Sequence, residues 1–221
     1  MRLVYRAIVK RSPFILPLAA WFTALFAIAA FGDDGQDALK KAVQAQLAAP
    51  AWRMTMRAVD HTENSTTDVV VEFVSPASIH SSTTVDGKLT TEIVSDGQKT
   101  FMRHGDGDFR PAPANTSDML VNARKAASVE RIGEMAAGVK FLDHEDVNGV
   151  RASVYTFDTD AMGLTGTTKL WISDKDNLPL KAEGHSEGVL KTGAVPGRKV
   201  DRSSTMTFDY DPSLKITLPG S

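Results

Sequence analysis

The 221-residue chain has no cysteine. Disulfides, thiolate metal sites and a cysteine nucleophile are excluded, and so is a lipid-modified N-terminal cysteine. Histidine is scarce too. His61, His80, His104, His144 and His185 are scattered and form neither an HxH nor an HExxH spacing. No serine is read as sitting in a G-x-S-x-G elbow, and no glycine-rich strand-to-helix turn is read as a phosphate cradle. His144-Glu145-Asp146 comes nearest to a ligand cluster, but it runs into an Asn148-Gly149 turn, as a solvated loop does. Nothing sets Asp106, Asp108, Glu130 or Glu134 apart from ordinary surface charge. The reading is of a protein that is not an enzyme, with no metal and no cofactor.

Long apolar runs are missing except at the start. Arg2, Arg6, Lys10 and Arg11 precede an uncharged stretch, Ser12 to Gly32, rich in Phe, Leu, Ile and Ala. A basic region followed by an apolar one reads as a secretory signal peptide over residues 1–32. Small residues fit cleavage at Ala27-Ile28-Ala29 or at Ala30-Phe31-Gly32. Uncleaved, the same stretch is just long enough to anchor the chain in the inner membrane. Both readings export residues 33–221 to the periplasm as a single domain, because the basic flank stays in the cytoplasm. Residues 1–32 hold four basic and no acidic side chains of the chain's 25 and 27, so the remainder carries 21 against 27, a net charge of −6. A mildly acidic exported domain is a poor partner for a phosphate backbone, and no nucleic acid is expected.

Period-two alternation dominates what remains. In Thr167 to Glu183, Leu170 and Ile172 alternate with Lys169, Trp171 and Ser173; a polar turn, Asp174 to Asn177, follows, and Leu178-Pro179-Leu180 starts the return strand. Pro179 has no N–H and so fits the first residue of its strand. Alternation also marks 51–59, 67–74, 77–84, 88–94 and 98–104. Asp86-Gly87, Asp96-Gly97 and Gly105-Asp106-Gly107 punctuate these runs with residues that tolerate positive φ. Phe109-Arg110 reads as a short strand, and 139–144, 151–158 and 199–210 complete the set. Thr159 to Gly166 reads as a flexible connection and Glu187 to Gly197 as the longest loop. Helical spacing occurs in Gly35 to Leu47, stopped by Pro50, and in Asn115 to Ala137, where Leu120, Ala123, Ala127, Ile132 and Met135 form a stripe. The expected fold class is α+β, a broad antiparallel meander with few helices.

Trp52, Met54 and Met56 share one face of the first strand, and Val69, Val71 and Phe73 one face of the second. Methionine makes a pliable wall suited to irregular apolar ligands. From spacing alone the same pattern is more often an ordinary core beneath the helices than a ligand wall. A broad sheet with few helices nevertheless has more apolar face than those helices cover, which leaves room for a cavity.

Four strings carry a resemblance to a known family. They are Val74-Ser75-Pro76; Ser95-Asp96-Gly97-Gln98-Lys99-Thr100-Phe101; Leu170-Trp171-Ile172-Ser173-Asp174 with Asn177-Leu178-Pro179-Leu180; and Phe208-Asp209-Tyr210-Asp211-Pro212 with Ile216 and Pro219. With the order of elements from Gln36 to Pro219, they resemble the LolA/LolB-like superfamily of periplasmic lipoprotein carriers. Asn177 stands where that family usually has glycine, a mild change because asparagine also tolerates a left-handed backbone. The resemblance implies a strongly curved antiparallel sheet of about 10–11 strands, an unclosed β-barrel with helices over its concave face. It also implies an apolar cavity for acyl chains, lipid or lipoprotein, and only transient membrane contact. Trp52, Met54, Met56, Val69, Val71, Phe73 and Phe101 would line that cavity, with Leu120 and Ile132 as its lid and Arg53 and Arg57 as candidates for a cavity arginine. The alternative is a protein-interaction or envelope-sensor module on the same fold, engaging an envelope protein through exposed edge strands. A hydrolase is the third reading.

Overall fold

Tight turns set the topology. In the computed structural model, which describes residues 33–113, 116, 138–161, 163–191 and 196–220, Asp86 and Gly87 have φ of 49° and 77°, and Asn148 and Gly149 have 54° and 81°. Two successive positive φ values match the right-handed twist of the strands they join, so each pair closes a hairpin. Asn177, at φ 59°, takes the left-handed conformation expected of it. The Ser75–Pro76 peptide is cis.

Eleven strands result among the described residues: β1 (Ala51–Asp60), β2 (Ser65–Val74), β3 (Ser78–Val85), β4 (Lys88–Ser95), β5 (Thr100–His104), β6 (Arg110–Pro111), β7 (Lys140–Val147), β8 (Val150–Ala161), β9 (Leu164–Ser173), β10 (Pro179–Val189) and β11 (Lys199–Asp209). They form one antiparallel sheet in the order β6-β5-β4-β3-β2-β1-β11-β10-β9-β8-β7. Neighbours are consecutive in sequence except at the centre, where β1 pairs with β11. β6 and β7 are opposite edges, so the sheet is unclosed, and its curvature fits a half-barrel.

The expected meander is present, with three differences. β8 and β9 run to Ala161 and from Leu164, so the connection expected over 159–166 is mostly paired strand. Likewise β10 extends to Val189, shortening the loop expected from Glu187. β7 continues past His144 to Val147, so His144-Glu145-Asp146 is strand, not loop. Among the described residues the one helix with a defined span is α1 (Asp33–Ala48), where a few helices were expected. The segment expected from Asn115 to Ala137 lies outside the described residues except Thr116, which is helical.

The two faces of the sheet differ. The inner face and α1 share the main core, which joins Leu39 and Ala42 to Trp52, Met54, Met56, Val69, Val71, Phe73, Ile79, Ile93, Leu170 and Met206. A smaller core of Ala152, Val154 and Trp171 lies on the outer face. Hence Leu170 to Ser173 is buried throughout: Leu170 and Ile172 belong to the main core, while Trp171 faces the other way. Trp171 donates its Nε1–H to Glu145 Oε2 (2.8 Å), and the Lys181 ammonium sits 4.7 Å from its ring centroid.

Candidate functional site: the apolar inner face

Residues paired across antiparallel strands share a face, so the register assigns each candidate to a side. One row runs Met102–Ile93–Ser81–Val71–Met54–Phe208 across β5, β4, β3, β2, β1 and β11. A second runs Thr83–Val69–Met56–Met206–Ala182–Leu170–Tyr155–Phe141. Trp52, Met54, Met56, Val69, Val71 and Phe73 therefore meet on one surface, as their spacing suggested, and all are buried. Trp52 and Phe73 stack with centroids 5.7 Å apart, an arrangement that favours both rings beyond simple burial.

Phe101 is on the other side. It pairs with Val94 on β4, and Val94 pairs with His80 on β3, which places Phe101 on the outer face. Met102, missed in the sequence because two large apolar residues stand side by side, takes the inner position and contacts the main core. Arg53 and Arg57 are corrected in the same way. Both project outward: Arg53 Nε donates to Glu72 Oε1 (2.7 Å), and Arg57 pairs bidentately with Asp68 (2.8 and 3.1 Å). Leu120 and Ile132 lie outside the described residues.

Two further arginines the sequence reading passed over, Arg198 and Arg202, converge on the buried Asp60 carboxylate at 2.9 and 3.5 Å, and Arg198 also pairs with Glu63 at 2.6 Å. Burial pushes the Arg202 guanidinium below its ordinary range, against the pull of Asp60.

Chemistry-bearing groups elsewhere, among the described residues, make mostly structural contacts. Among the described residues no group of three His, Asp or Glu side chains is placed to hold a metal ion. His144-Glu145-Asp146 points at three separate partners: Asp174, the Trp171 indole and the Gly149 amide. Ser153, His144 and Asp174 do meet, but serine and aspartate approach the same nitrogen, Nδ1, at 3.3 and 3.1 Å, and the Ser153 hydroxyl donates directly to Asp174 (2.6 Å). A hydrolytic triad needs serine and acid on opposite ring nitrogens, so this arrangement cannot relay a proton from the serine. The string Gly184-His185-Ser186-Glu187-Gly188 does have G-x-S-x-G spacing, which the sequence reading overlooked. It lies inside β10, with Ser186 paired to Gly166 and Arg202, and not at a strand-to-helix turn.

Among the described residues no helix is long and apolar enough to cross a membrane. No family model and no curated protein sequence matches the chain. Solved structures do. The lipoprotein LppX of Mycobacterium tuberculosis superposes with a TM-score of 0.54 at 12% identity, over 84% of this chain and 100% of that one. LprF from Mycobacterium bovis gives 0.54 at 10% identity, over 87% and 99%. A structure of MucB in complex with MucA(peri) gives 0.38 at 14% identity, over 85% and 60%. With the strand order and the main core on the inner face already described, the likeness to LppX and LprF shows that this chain has the LolA/LolB-like fold.

Proposed function

We propose that the chain is an exported periplasmic protein that binds or carries an apolar ligand, an acyl chain, lipid or lipoprotein, against the inner face of its half-barrel. The observation that carries this reading is the merging of side chains from β1, β2, β3, β4, β9 and β11 into one apolar surface around Met54, Met56 and Met206. Burying apolar ligand surface contributes about 25 cal/mol per Å² before ordering costs, so a few hundred Å² of chain supports useful affinity. Trp52, Met54, Met56, Val69, Val71, Phe73 and Met102 form the wall. The N-terminal segment fits a signal peptide, and cleavage after Ala29 or Gly32 leaves α1 whole, since it begins at Asp33.

Native mass spectrometry of protein purified from membranes, with displacement of a fluorescent fatty acid, tests the proposal. Lipid recovered with the protein, or saturable displacement, is the expected result; repeated ligand-free recovery with no probe binding overturns it. N-terminal sequencing of the periplasmic product should start at residue 30 or 33.

A second reading, a protein-interaction module, has one observation in its favour. β7 is an edge strand with Phe141 and Leu142 about half exposed, at 51% and 46%. An unpaired edge of this kind can accept an extended segment of an envelope partner. Cross-linking from position 142 in intact cells distinguishes the two: a specific protein adduct supports this reading, and its absence removes it.

A further inference from the structure

Among the described residues, two hydroxyls inside the inner face have no hydrogen-bond partner. Ser81 and Thr83 on β3 are 1% and 0% exposed, and Ser81 Oγ and Thr83 Oγ1 are both unsatisfied. Their cross-strand neighbours are Val71 and Ile93 for Ser81, and Val69 and Thr91 for Thr83. Other buried hydroxyls of this sheet are paired: Ser95 Oγ and Thr100 Oγ1 lie 2.9 Å apart, and Ser173 Oγ accepts from the Lys175 amide. A buried hydroxyl without a partner is costly, whereas alanine and valine would fill these two positions without that cost. Two such groups, two positions apart on one strand and so on the same face, stand roughly 7 Å apart along it.

We infer that Ser81 and Thr83 are a polar anchor within the apolar wall, donating hydrogen bonds to the ester carbonyl oxygens of a long-chain acyl ligand. This rests on the inner-face reading above and adds ligand class and depth: the ester linkage sits over β3 while the hydrocarbon lies along the methionine and valine rows. A carbonyl oxygen accepts without bringing a charge into the apolar interior, where an ionised headgroup would be strongly disfavoured. Diacyl phospholipids and diacylglyceryl-modified cysteine peptides share this chemistry.

The test compares dioleoylphosphatidylglycerol with its diether analogue of equal chain length, and both with a diacylglyceryl-cysteine peptide. Wild type is measured beside Ser81→Ala, Thr83→Val and the double variant. Wild type should prefer the diester by about tenfold, the worth of two ordinary hydrogen bonds. The double variant should bind diester and diether alike while melting at or above the wild-type temperature. Relative affinity for phospholipid and peptide identifies the source of the ester. Equal wild-type binding of diester and diether, or a preference that survives in the double variant, overturns the anchor and leaves the apolar-ligand reading standing. Loss of folding in the double variant makes the hydroxyls structural and also overturns it. If neither diester nor diether binds, the reading beneath it falls as well.

Discussion

Gly35 shows how closely one residue can govern the covering of the inner face. A Cβ at this third position of α1 would lie 2.8 Å from the Val139 carbonyl oxygen and 2.9 Å from its Cγ1. In an open helix, alanine for glycine gains up to ~1 kcal/mol of helix propensity. Here the overlap is partly with backbone, which cannot rotate away, and overpacking of this kind costs typically 1–3 kcal/mol. Gly35→Ala should therefore lower stability by about 1 kcal/mol; a rise in the urea midpoint would show that α1 is free to shift. The sidedness of β5 gives a second prediction at the same scale. Met102→Gln places an amide in the apolar wall and should weaken acyl-probe binding about tenfold, the effect of burying a poorly paired polar group. Phe101→Gln, on the outer face, should leave probe affinity within twofold. The reverse result would undo the register argument. Trp52, Met54 and Met56 were legible in the sequence because each is separated from the next by a polar residue. Phe101 and Met102 were not, because adjacent large apolar residues satisfy either phase and only pairing with β4 decides between them.

At the scale of elements, the outer face of β1 to β5 is held by a row of charges that no single strand reveals. Arg53 pairs with Glu72; His80 meets Glu72 through Nδ1 and Glu92 through Nε2, each at 2.8 Å; and Arg103 pairs with Glu92. Burial pushes the Glu72 and Glu92 carboxyls up, but the hydrogen bonds and charges of His80 with Arg53, and of His80 with Arg103, outweigh it and hold both below their ordinary value of 4.5. Because the folded-state value is the lower one, the stabilisation is complete above the unfolded value. It is lost as pH falls through the folded value. The wild-type urea midpoint should thus fall more steeply between pH 5 and pH 3 than that of a Glu72→Gln/Glu92→Gln double variant. With the arginines partly solvated, the difference at pH 7 should be about 1 kcal/mol. Parallel curves would mean that the row adds nothing to the pH dependence. Sequence pattern located the strands of this row to within about two residues, yet its charges are 8 to 19 positions apart along the chain and needed the register to connect them. Strand ends were misread where glycine dominates: Gly166 and Gly188 looked like loop, but each lies in a paired strand, with Gly166 so close to the His185 carbonyl that no Cβ fits.

For the whole molecule, the sheet's order follows from its hairpins, and among the described strand pairings that of β1 with β11 is the one that local signals could not supply. What the inner face is for was less legible, because an apolar wall and an apolar core have the same composition. Met56, Val71 and Phe73 are 1–2% exposed, so the protein's own side chains cover this part of the face. A ligand must replace those contacts with its own, and its net effect on stability is what remains after the exchange. Binding to the folded state alone stabilises by RT ln(1 + [L]/Kd), about 2.7 kcal/mol at a hundredfold excess over Kd. For a domain of this size each kcal/mol moves Tm by roughly 2–4 °C, so dioleoylphosphatidylglycerol at that excess should raise Tm by about 5–10 °C. Met102→Gln, with its weaker affinity, should show a visibly smaller shift at the same ligand concentration. Diffusion of the ligand onto exposed Phe141 or Leu142 would instead shift wild type and variant equally. A Tm unmoved in both, with the probe present at any concentration below its aggregation limit, would mean that the closed inner face stays closed and that the sheet serves through its edges.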